Sequence, residues 1–336
     1  MTRHLKFLLP LALMPIACAV GAAQPELSKQ ITQQDGWVAY RVPMTSEAGE
    51  PCCYTFTGKT VARTGCDLDS RVWGITTNER PAGHISSGML DVYLRVAHDK
   101  VDSVRAMAAS CPVRNAERVR RLDDVEPRAS IALLAGLAAA KTKSSDDADG
   151  ETAAIAYHAD AAATSALGEL SGQPHPRELR EKALFWLGQT RGADGASIVE
   201  HAATTDADPE LRANAVFDLS QSRAMDAYAS IHRIAQSDSS NHVREQALFW
   251  MAQTEDPRAD ADITAAIQRE SSADVREQAV FALSQLKSDR ADAALIALIR
   301  GSYPREVKKQ ALFWLGQSGS AQALAFLDEV LSNPRQ

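Results

Sequence analysis

One short segment of this chain recurs at a fixed distance. The residues ALFWLGQ occupy Ala183–Gln189 and Ala311–Gln317, and the close variant ALFWMAQ occupies Ala247–Gln253. Phenylalanine recurs every 32 residues, with no insertion or deletion, at Phe185, Phe217, Phe249, Phe281 and Phe313. A constant period of this length predicts a solenoid, in which each repeat buries its apolar face against its neighbours.

Each repeat contains two helical patterns. In the first, over about residues 176–190, Leu179, Ala183 and Leu187 lie on one helix face. After a turn, the second helix carries an aligned apolar series: Val199, Ile231, Ile263, Leu295 and Leu327. The same period aligns Ile155 with Leu187, which predicts a degenerate sixth repeat over 152–170, preceded by a helix over 129–140.

The string VREQALFWMAQ and the following DPRADADITAAI resemble the HEAT-like repeats of phycobilisome lyases. This resemblance covers residues 146–336 and implies that the Val-Arg helix of each repeat lines a concave face. The whole chain also resembles exported bacterial HEAT-repeat proteins with a Cys-Cys-containing N-terminal domain. We therefore expect a mainly α fold: a right-handed α-solenoid of 32-residue, two-helix HEAT-like repeats, preceded by a small disulfide-stapled β-rich domain.

The first 23 residues are typical of a secretory signal peptide. Arg3 and Lys6 give a positive start, an apolar stretch follows, and small residues up to Ala23 suit cleavage. We therefore predict a periplasmic or secreted protein. Lipid attachment at Cys18 is an alternative, although Pro15 fits a lipobox poorly. No other segment is long and apolar enough to predict a membrane span.

Residues 24–125 differ from the repeats. Short runs rich in Val, Tyr and Trp (WVAYRV, CYTF, RVWGI) predict a small antiparallel sheet, with a hairpin formed by Leu90–Ala97 and Val101–Ala108. The cysteines that follow the leader all lie here: Cys52, Cys53, Cys66 and Cys111. In an exported chain they predict disulfides of unassigned pairing. The alternative is a metal or redox site that uses these thiols with His84 or His98. A helix and linker over 126–145 would lead to the solenoid, 146–336.

The recurring phenylalanine is the candidate binding feature. On a helical wheel Phe185 points away from the apolar face, and Gln189 follows one turn later on the same side. Stacked repeats would form a ribbon of rings and amides that binds a protein or peptide. The alternative is that the rings wedge between helices and only build the stack. The residues concerned are Phe185, Gln189, Phe217, Gln221, Phe249, Gln253, Phe281, Gln285, Phe313 and Gln317.

Two further series recur. Trp186, Trp250 and Trp314 stand in alternate repeats, with Asp218 and Ala282 between them, and we interpret the tryptophans as core packing. A base follows each Leu or Val of the Val-Arg position: Arg180, Arg212, Arg244, Arg276 and Lys308. With the nearby acids Glu178, Glu210, Asp274 and Glu306, these bases predict a charge ladder between repeats.

No catalytic motif is present: the chain has no G-x-S-x-G, P-loop, dinucleotide fingerprint or H-E-x-x-H. Deoxyhypusine hydroxylase, a HEAT-like enzyme, binds iron through His-Glu pairs. The matching positions begin here with Glu181-Lys182 and Ala213-Asn214, which are not such ligands. The net charge of −7 disfavours nucleic acid. We predict a noncatalytic exported scaffold without a cofactor. The alternative is a thiol- or metal-dependent activity in the N-terminal domain, with the repeats holding the substrate.

Overall fold

The computed structural model describes residues 25–57, 60–70, 88–141, 148–222 and 226–332. Its N-terminal part contains a four-stranded sheet and a separate two-stranded hairpin, after a helix, α1, over residues 25–31. The strands are β1 (Gly36–Pro43), β2 (Tyr54–Thr57), β3 (Thr60–Arg63), β4 (Met89–Ala97), β5 (Lys100–Ala108) and β6 (Arg120–Arg121). The larger sheet has the order β5-β4-β1-β6, with β6 parallel to β1 and the other pairs antiparallel.

The predicted hairpin is β4–β5. His98 and Asp99 join its strands with φ angles of 52° and 60°. Two consecutive left-handed residues form the tight turn whose twist matches that of paired strands. The hairpin was predictable because its strands alternate apolar residues with period two. The predicted strand RVWGI and His84 lie outside the described residues.

The two faces of the sheet bury different cores. Val38, Tyr40 and Val42 of β1 pack with the helices, whereas Ala39 packs with the cysteines on the other face. On that second face the structure pairs Cys52 with Cys111 and Cys53 with Cys66. The predicted disulfide framework is therefore present. It agrees with an oxidising compartment, while the predicted signal peptide and Cys18 lie outside the described residues.

The rest of the described chain is helical. Before the five clear repeats come α2 (Pro127–Ala140), α3 (Ala148–Tyr157) and α4 (Ala162–Leu170). Repeat 1 is α5 (Arg177–Thr190) with α6 (Gly192–Thr205), and repeat 2 is α7 (Pro209–Gln221) with α8 (Ala227–Ser237). Repeats 3 to 5 are α9 (Asn241–Gln253) with α10 (Ala259–Arg269), α11 (Ala273–Ser284) with α12 (Ser288–Arg300), and α13 (Arg305–Ser318) with α14 (Ala321–Ser332).

Local sequence fixes where these helices begin. Asp208 caps α7 by accepting a hydrogen bond from the backbone of Glu210, and Pro209 occupies the first helical position. The Ser272 hydroxyl caps α11 in the same way. The aligned apolar positions of the first helices are buried, as the period predicted: Leu179, Leu211, Val243, Val275 and Val307. Ile155 of α3 and Leu167 of α4, which the period aligns with Leu187 and Val199, are also buried.

The two layers of helices pack differently. The first helices of repeats 1 to 5 lie close along one another, whereas the second helices are separated by crevices. One crevice, of about 720 Å³, lies between α6 and α8 and is lined by polar side chains such as Glu200 and Arg233. A second, of about 300 Å³, lies between α8 and α10. Because the first helices are closer together, the array curves toward them and their layer is the inner face.

The sheet closes the N-terminal end of the solenoid. Gly150 of α3 approaches β5 so closely that a Cβ atom built there would lie 2.2 Å from the carbonyl oxygen of Val104. A buried network crosses the joint: the hydroxyls of Tyr40 and Ser130 lie 2.7 Å apart, and His158 Nε2 lies 2.9 Å from Ser130 Oγ. Sheet and helices therefore share one core. No helix among the described residues has the length and hydropathy that crossing a membrane requires.

Candidate functional site

The five phenylalanines occupy equivalent positions on the first helices of repeats 1 to 5, so they form a row along the inner face. We call this row the aromatic ribbon: Phe185, Phe217, Phe249, Phe281 and Phe313. The two end residues are the most exposed, Phe185 at 36% and Phe313 at 54%, and the three central ones are half-buried. All five therefore present ring surface to solvent.

The ribbon is held together by contacts between rings of neighbouring repeats. The ring centroids of Phe217 and Trp250 are 4.8 Å apart, and those of Phe281 and Trp314 are 5.0 Å apart. Phe249 stacks on Phe281 at 6.0 Å with the ring planes almost parallel. The phenylalanines thus contribute to packing between repeats and also remain accessible. The two sequence-based alternatives are not exclusive for these side chains.

Amide side chains flank the ribbon. Gln189 is half-buried, and the glutamines at the equivalent positions are exposed: Gln221, Gln253, Gln285 and Gln317. The amide nitrogens of Gln221 and Gln285 donate to the hydroxyls of Ser220 and Ser284, both at 3.0 Å. The side-chain carbonyl oxygens of these glutamines can accept hydrogen bonds. Their amide nitrogens can also donate to another group in place of the serine hydroxyl. The inner face therefore alternates apolar rings with neutral hydrogen-bonding groups.

The tryptophans pack on the core, as the sequence predicted, but they also contact phenylalanines of the ribbon. Trp186, Trp250 and Trp314 are half-buried against the core. Each also contacts a ring of the preceding repeat; for Trp186 this is Tyr157 at 5.5 Å. The burial of Asp218 in the tryptophan register was not foreseen. Burial, and secondarily the negative charge of Glu181, raises the pKa of the Asp218 carboxyl to about 8.

The charge ladder exists, with different acids from those predicted. Arg212 binds Asp238 with Nε 2.8 Å from Oδ2, and Arg244 binds Glu270 with the same separation. Arg180 likewise pairs with Asp206. In each case the acid lies 26 residues after the arginine, where it caps the C-terminal end of the second helix of the same repeat, and not in the first turn of the arginine's own helix. The missed signal was the 32-residue spacing of Asp206, Asp238 and Glu270.

The arginines of the ladder also donate hydrogen bonds to backbone oxygens. Arg212 Nη1 donates to the backbone oxygen of Asp206 at 2.8 Å, and Arg244 Nη1 donates to that of Asp238 at 2.9 Å. Hydrogen bonding to Asp238 raises the pKa of Arg212. Each arginine therefore connects its helix to the loop before its repeat and to the loop after it. This ladder orients the helices that carry the ribbon.

The cysteine cluster does not form an open ligand set. The sulfur atoms of Cys52, Cys66 and Cys111 lie within 4.8 Å of one another, but each is already in a disulfide. A sulfur in a disulfide is not the thiolate that binds a metal. His98 lies at the hairpin turn, at the opposite end of β5 from Cys111. The nine residues of β5 span about 27 Å, so His98 cannot join these sulfurs.

The paired helices, stacked in two layers with a constant period, define the class as an α-solenoid. Residues 198–284 and 228–316 match the family model of HEAT repeats. The repeated part of the chain is therefore made of HEAT repeats, as the sequence predicted. No curated protein matches the chain.

Several solved structures are similar to this chain at low identity. Human deoxyhypusine hydroxylase, in complex with glycerol, is 16% identical over 58% of this chain and 81% of its own, with a TM-score of 0.31. YibA of Escherichia coli is 21% identical over 58% and 72%, with a TM-score of 0.35. The CpcE–CpcF complex of phycocyanin lyase from Nostoc is 18% identical over 61% and 82%, with a TM-score of 0.30. At these values the similarities carry no conclusion about activity or partner.

Proposed function

We propose that this protein is a noncatalytic exported scaffold that binds a protein or peptide along the aromatic ribbon of its HEAT repeats. The observation that supports this role most is the row of accessible rings on equivalent inner helices. A solenoid needs its buried positions to build the stack, but it does not need ring surface facing solvent. Phe217, Phe249 and Phe281 are only half-buried although each has a repeat on both sides.

The chemistry of the inner face suits a polypeptide. Aromatic rings provide large apolar contact area at low entropic cost, and they are enriched where interfaces carry most binding energy. The neighbouring glutamine amides can donate to and accept from peptide backbone. Neutral amides beside rings do not select a phosphate backbone, which requires cations. The site therefore favours an extended protein segment.

The proposal can be tested with the intrinsic fluorescence of Trp186, Trp250 and Trp314, which contact the ribbon. Peptides selected from a random phage-displayed library on the whole protein would be titrated into the wild type and into Phe249→Ala and Phe313→Ala. We expect at least about tenfold weaker binding in each variant, the range of an interface hot spot. The control is Leu331→Ala, an exposed apolar residue of α14, outside the ribbon.

The titration decides whether the ribbon is the binding surface. Selected peptides that bind all three variants equally well would show that the ribbon is not the binding surface. The thiol- or metal-dependent alternative is tested separately by titrating free thiols in the unreduced, unfolded protein. We expect none from Cys52, Cys53, Cys66 and Cys111, because the structure places all four in disulfides.

A further inference from the structure

The two disulfides of the N-terminal domain lie against each other. Cys52 and Cys53 are adjacent in the sequence, so the bridges that they form to Cys111 and Cys66 start side by side. The sulfur atoms of Cys66 and Cys111 lie 3.5 Å apart, although each is bonded to another cysteine. The sulfur of Cys52 lies within 4.8 Å of both. Each disulfide therefore has a sulfur atom of the other as a direct neighbour.

Backbone hydrogen bonds hold Cys66 beside Cys111. The amide of Cys66 donates to the carbonyl oxygen of Pro112 at 2.8 Å, and the carbonyl oxygen of Cys66 accepts from the amide of Arg114 at 2.8 Å. These bonds form an isolated parallel bridge between Cys66 and Val113, just after Cys111. Because neither bond involves a sulfur atom, we expect Cys66 to keep its place when its own disulfide is opened.

The other half of each disulfide is also held by the backbone. The amide of Ala108 donates to the carbonyl oxygen of Pro51 at 2.9 Å, which fixes the residue before Cys52 to the end of β5. The amide of Thr64 donates to the carbonyl oxygen of Cys53 at 2.9 Å, next to the ladder of β2 and β3. The fold itself thus positions the sulfur atoms, so opening one disulfide leaves the other within reach of the released sulfur.

Exposure decides which disulfide a reagent in solvent meets first. Cys52, Cys66 and Cys111 are buried, with exposures of 0%, 2% and 8%, whereas Cys53 is half-buried and packs against their apolar cluster. Attack from solvent therefore falls on the sulfur of Cys53, and the sulfur that leaves is that of Cys66. The leaving sulfur is the one that lies against Cys111.

We propose that these cysteines form a thiol–disulfide exchange site, which transfers one disulfide to a dithiol and then changes its own pairing. A thiolate of the dithiol attacks Cys53, the Cys53–Cys66 bond breaks, and Cys66 leaves as a thiolate. The second thiolate of the dithiol attacks the mixed disulfide, so the dithiol leaves as a disulfide and Cys53 is released as a thiolate. The dithiol is oxidised by two electrons, and the protein is reduced by two.

The released Cys66 thiolate then attacks the sulfur of Cys111. The Cys66–Cys111 bond forms, the Cys52–Cys111 bond breaks, and Cys52 leaves as a thiolate. The thiolates of Cys52 and Cys53 take up the protons that the dithiol lost to solvent. This attack is unimolecular, because the reacting sulfurs are already in contact. The protein ends with a single disulfide, between Cys66 and Cys111, and with Cys52 and Cys53 as adjacent thiols.

This activity goes beyond the proposed function and does not depend on it. The cysteines lie on the face of the sheet opposite to the one that packs with the helices, whereas the ribbon lies on the inner helices. The exchange also requires no free thiol in the resting protein, since the oxidised form is the one that reacts. The substrate class is a dithiol.

Limited reduction of the whole protein tests the change of pairing. The protein would be treated with one molar equivalent of dithiothreitol, unfolded with N-ethylmaleimide to block free thiols, and digested with trypsin. Cleavage after lysine and arginine places Cys52 and Cys53 on peptide 42–59, Cys66 on peptide 64–71 and Cys111 on peptide 106–114. The disulfide pattern can therefore be read from the peptide masses.

The two possible pairings give different peptides. We expect that in most singly reduced molecules peptide 42–59 carries two blocked thiols and peptide 64–71 is joined to 106–114. Without exchange, peptide 64–71 is blocked and 42–59 is joined to 106–114, and a predominance of this pattern would show that the proposal is wrong. A blocked peptide 106–114 with 42–59 joined to 64–71, or resistance of both disulfides to dithiothreitol, would also contradict it.

A matched pair of variants tests the second step without a reductant. Cys53→Ala and Cys66→Ala remove the same disulfide and leave one thiol each, so their losses of stability should be similar. In Cys53→Ala the Cys66 thiol faces the Cys52–Cys111 disulfide, and we expect maleimide to label mainly Cys52. In Cys66→Ala the attacking sulfur is absent, and fragmentation of peptide 42–59 should find the label on Cys53.

Either variant can overturn the exchange step. Labelling of Cys66 alone in Cys53→Ala would show that Cys66 does not attack the second disulfide. Labelling of Cys52 in Cys66→Ala would show that Cys66 is not the attacking sulfur. Far-ultraviolet circular dichroism checks that the variants fold, and if they do not, the limited reduction of the wild type decides.

Discussion

The two ends of the solenoid differ in how far their apolar side chains are buried. At the N-terminal end the sheet covers α2 and α3, and the side chains at the joint are buried, including Leu134 and Ile155. At the other end of the described chain, α13 and α14 leave apolar side chains in contact with solvent: Leu312, Phe313, Leu324, Val330 and Leu331. Leu312 occupies the register of Leu184 and Leu248, which the following repeat buries.

This difference shows how a repeat array obtains its stability. Each repeat is stabilised mainly by its neighbours, so helices that keep large apolar side chains in contact with solvent, such as α13 and α14, are held by fewer contacts. The sheet supplies such contacts at the N-terminal end, through an apolar face and a hydrogen-bonded network. We therefore expect opening to begin at α14 and α13 and to reach α3 last. The predictions below compare matched changes at the two ends.

The largest difference is expected for leucine truncation. Leu134→Ala in α2 removes a fully buried side chain, and it should lower the free energy of unfolding by about 2–5 kcal/mol. Leu331→Ala in α14 removes one that is 79% exposed, and it should change stability by less than about 0.5 kcal/mol. Urea unfolding of the two variants measures both values. Similar losses would show that the two ends are equally well packed.

The next effect is a dependence on pH at the N-terminal joint. Burial lowers the pKa of His158 from 6.5 to about 4. Between these values the unfolded chain binds a proton that the folded protein excludes, so stability decreases as the pH falls. The decrease should approach about 3 kcal/mol by pH 4.

Other groups also titrate over this range, so the measurement is the difference between wild type and His158→Gln. The slope of the free energy of unfolding against pH should be shallower in the variant between pH 4 and 6.5. Identical slopes in the two proteins would mean that His158 is charged in the folded joint.

A smaller contrast is expected along the charge ladder, which weakens toward the C-terminal end. Arg212 pairs with Asp238. Among the described residues Arg276 pairs with no acid and donates to the backbone oxygens of Glu270 and Ser271, because Ser302 stands where the ladder acid would be. Arg212→Ala should cost about 2 kcal/mol, and Arg276→Ala about 1 kcal/mol. Thermal unfolding of both variants measures the two losses of stability. A larger loss for Arg276→Ala than for Arg212→Ala would contradict the prediction.

The smallest effect is expected for charge added to the exposed end. The double variant Leu324→Lys with Leu331→Lys should keep the wild-type free energy of unfolding within about 0.5 kcal/mol. Hydrogen exchange should show the same rapid exchange of α14 amides in both proteins. A marked loss of stability would mean that these leucines are covered in solution.

The periodic parts of the molecule could be predicted from the sequence, and the parts that break the period could not. The repeated position of Phe249 on its helix could be predicted because four equivalent residues share the same spacing. The buried state of Asp218 depends on what α5 presents to it, and no repeated position reports that. The joint made by Tyr40, Ser130 and His158 joins residues far apart in the chain, with no spacing to link them. The acids of the ladder recur every 32 residues and could have been found. The prediction instead chose the acids in the first turn of each helix, because they lie closer to the arginines in the sequence.

The one phenylalanine at the same position of each repeat also defines a spacing along the inner face. Adjacent packed helices are about 9–10 Å apart, and a polyproline II chain advances about 9.3 Å in three residues. Such a chain, laid across the inner helices, would offer the same side of itself to every repeat. A β-strand advances about 6.6 Å in two residues. Its side chains would no longer coincide with the inner helices after one repeat. The expected spacing of the inner helices therefore matches triplet periodicity, whereas the rings of Phe249 and Phe281, whose centroids are 6.0 Å apart, lie closer together than that.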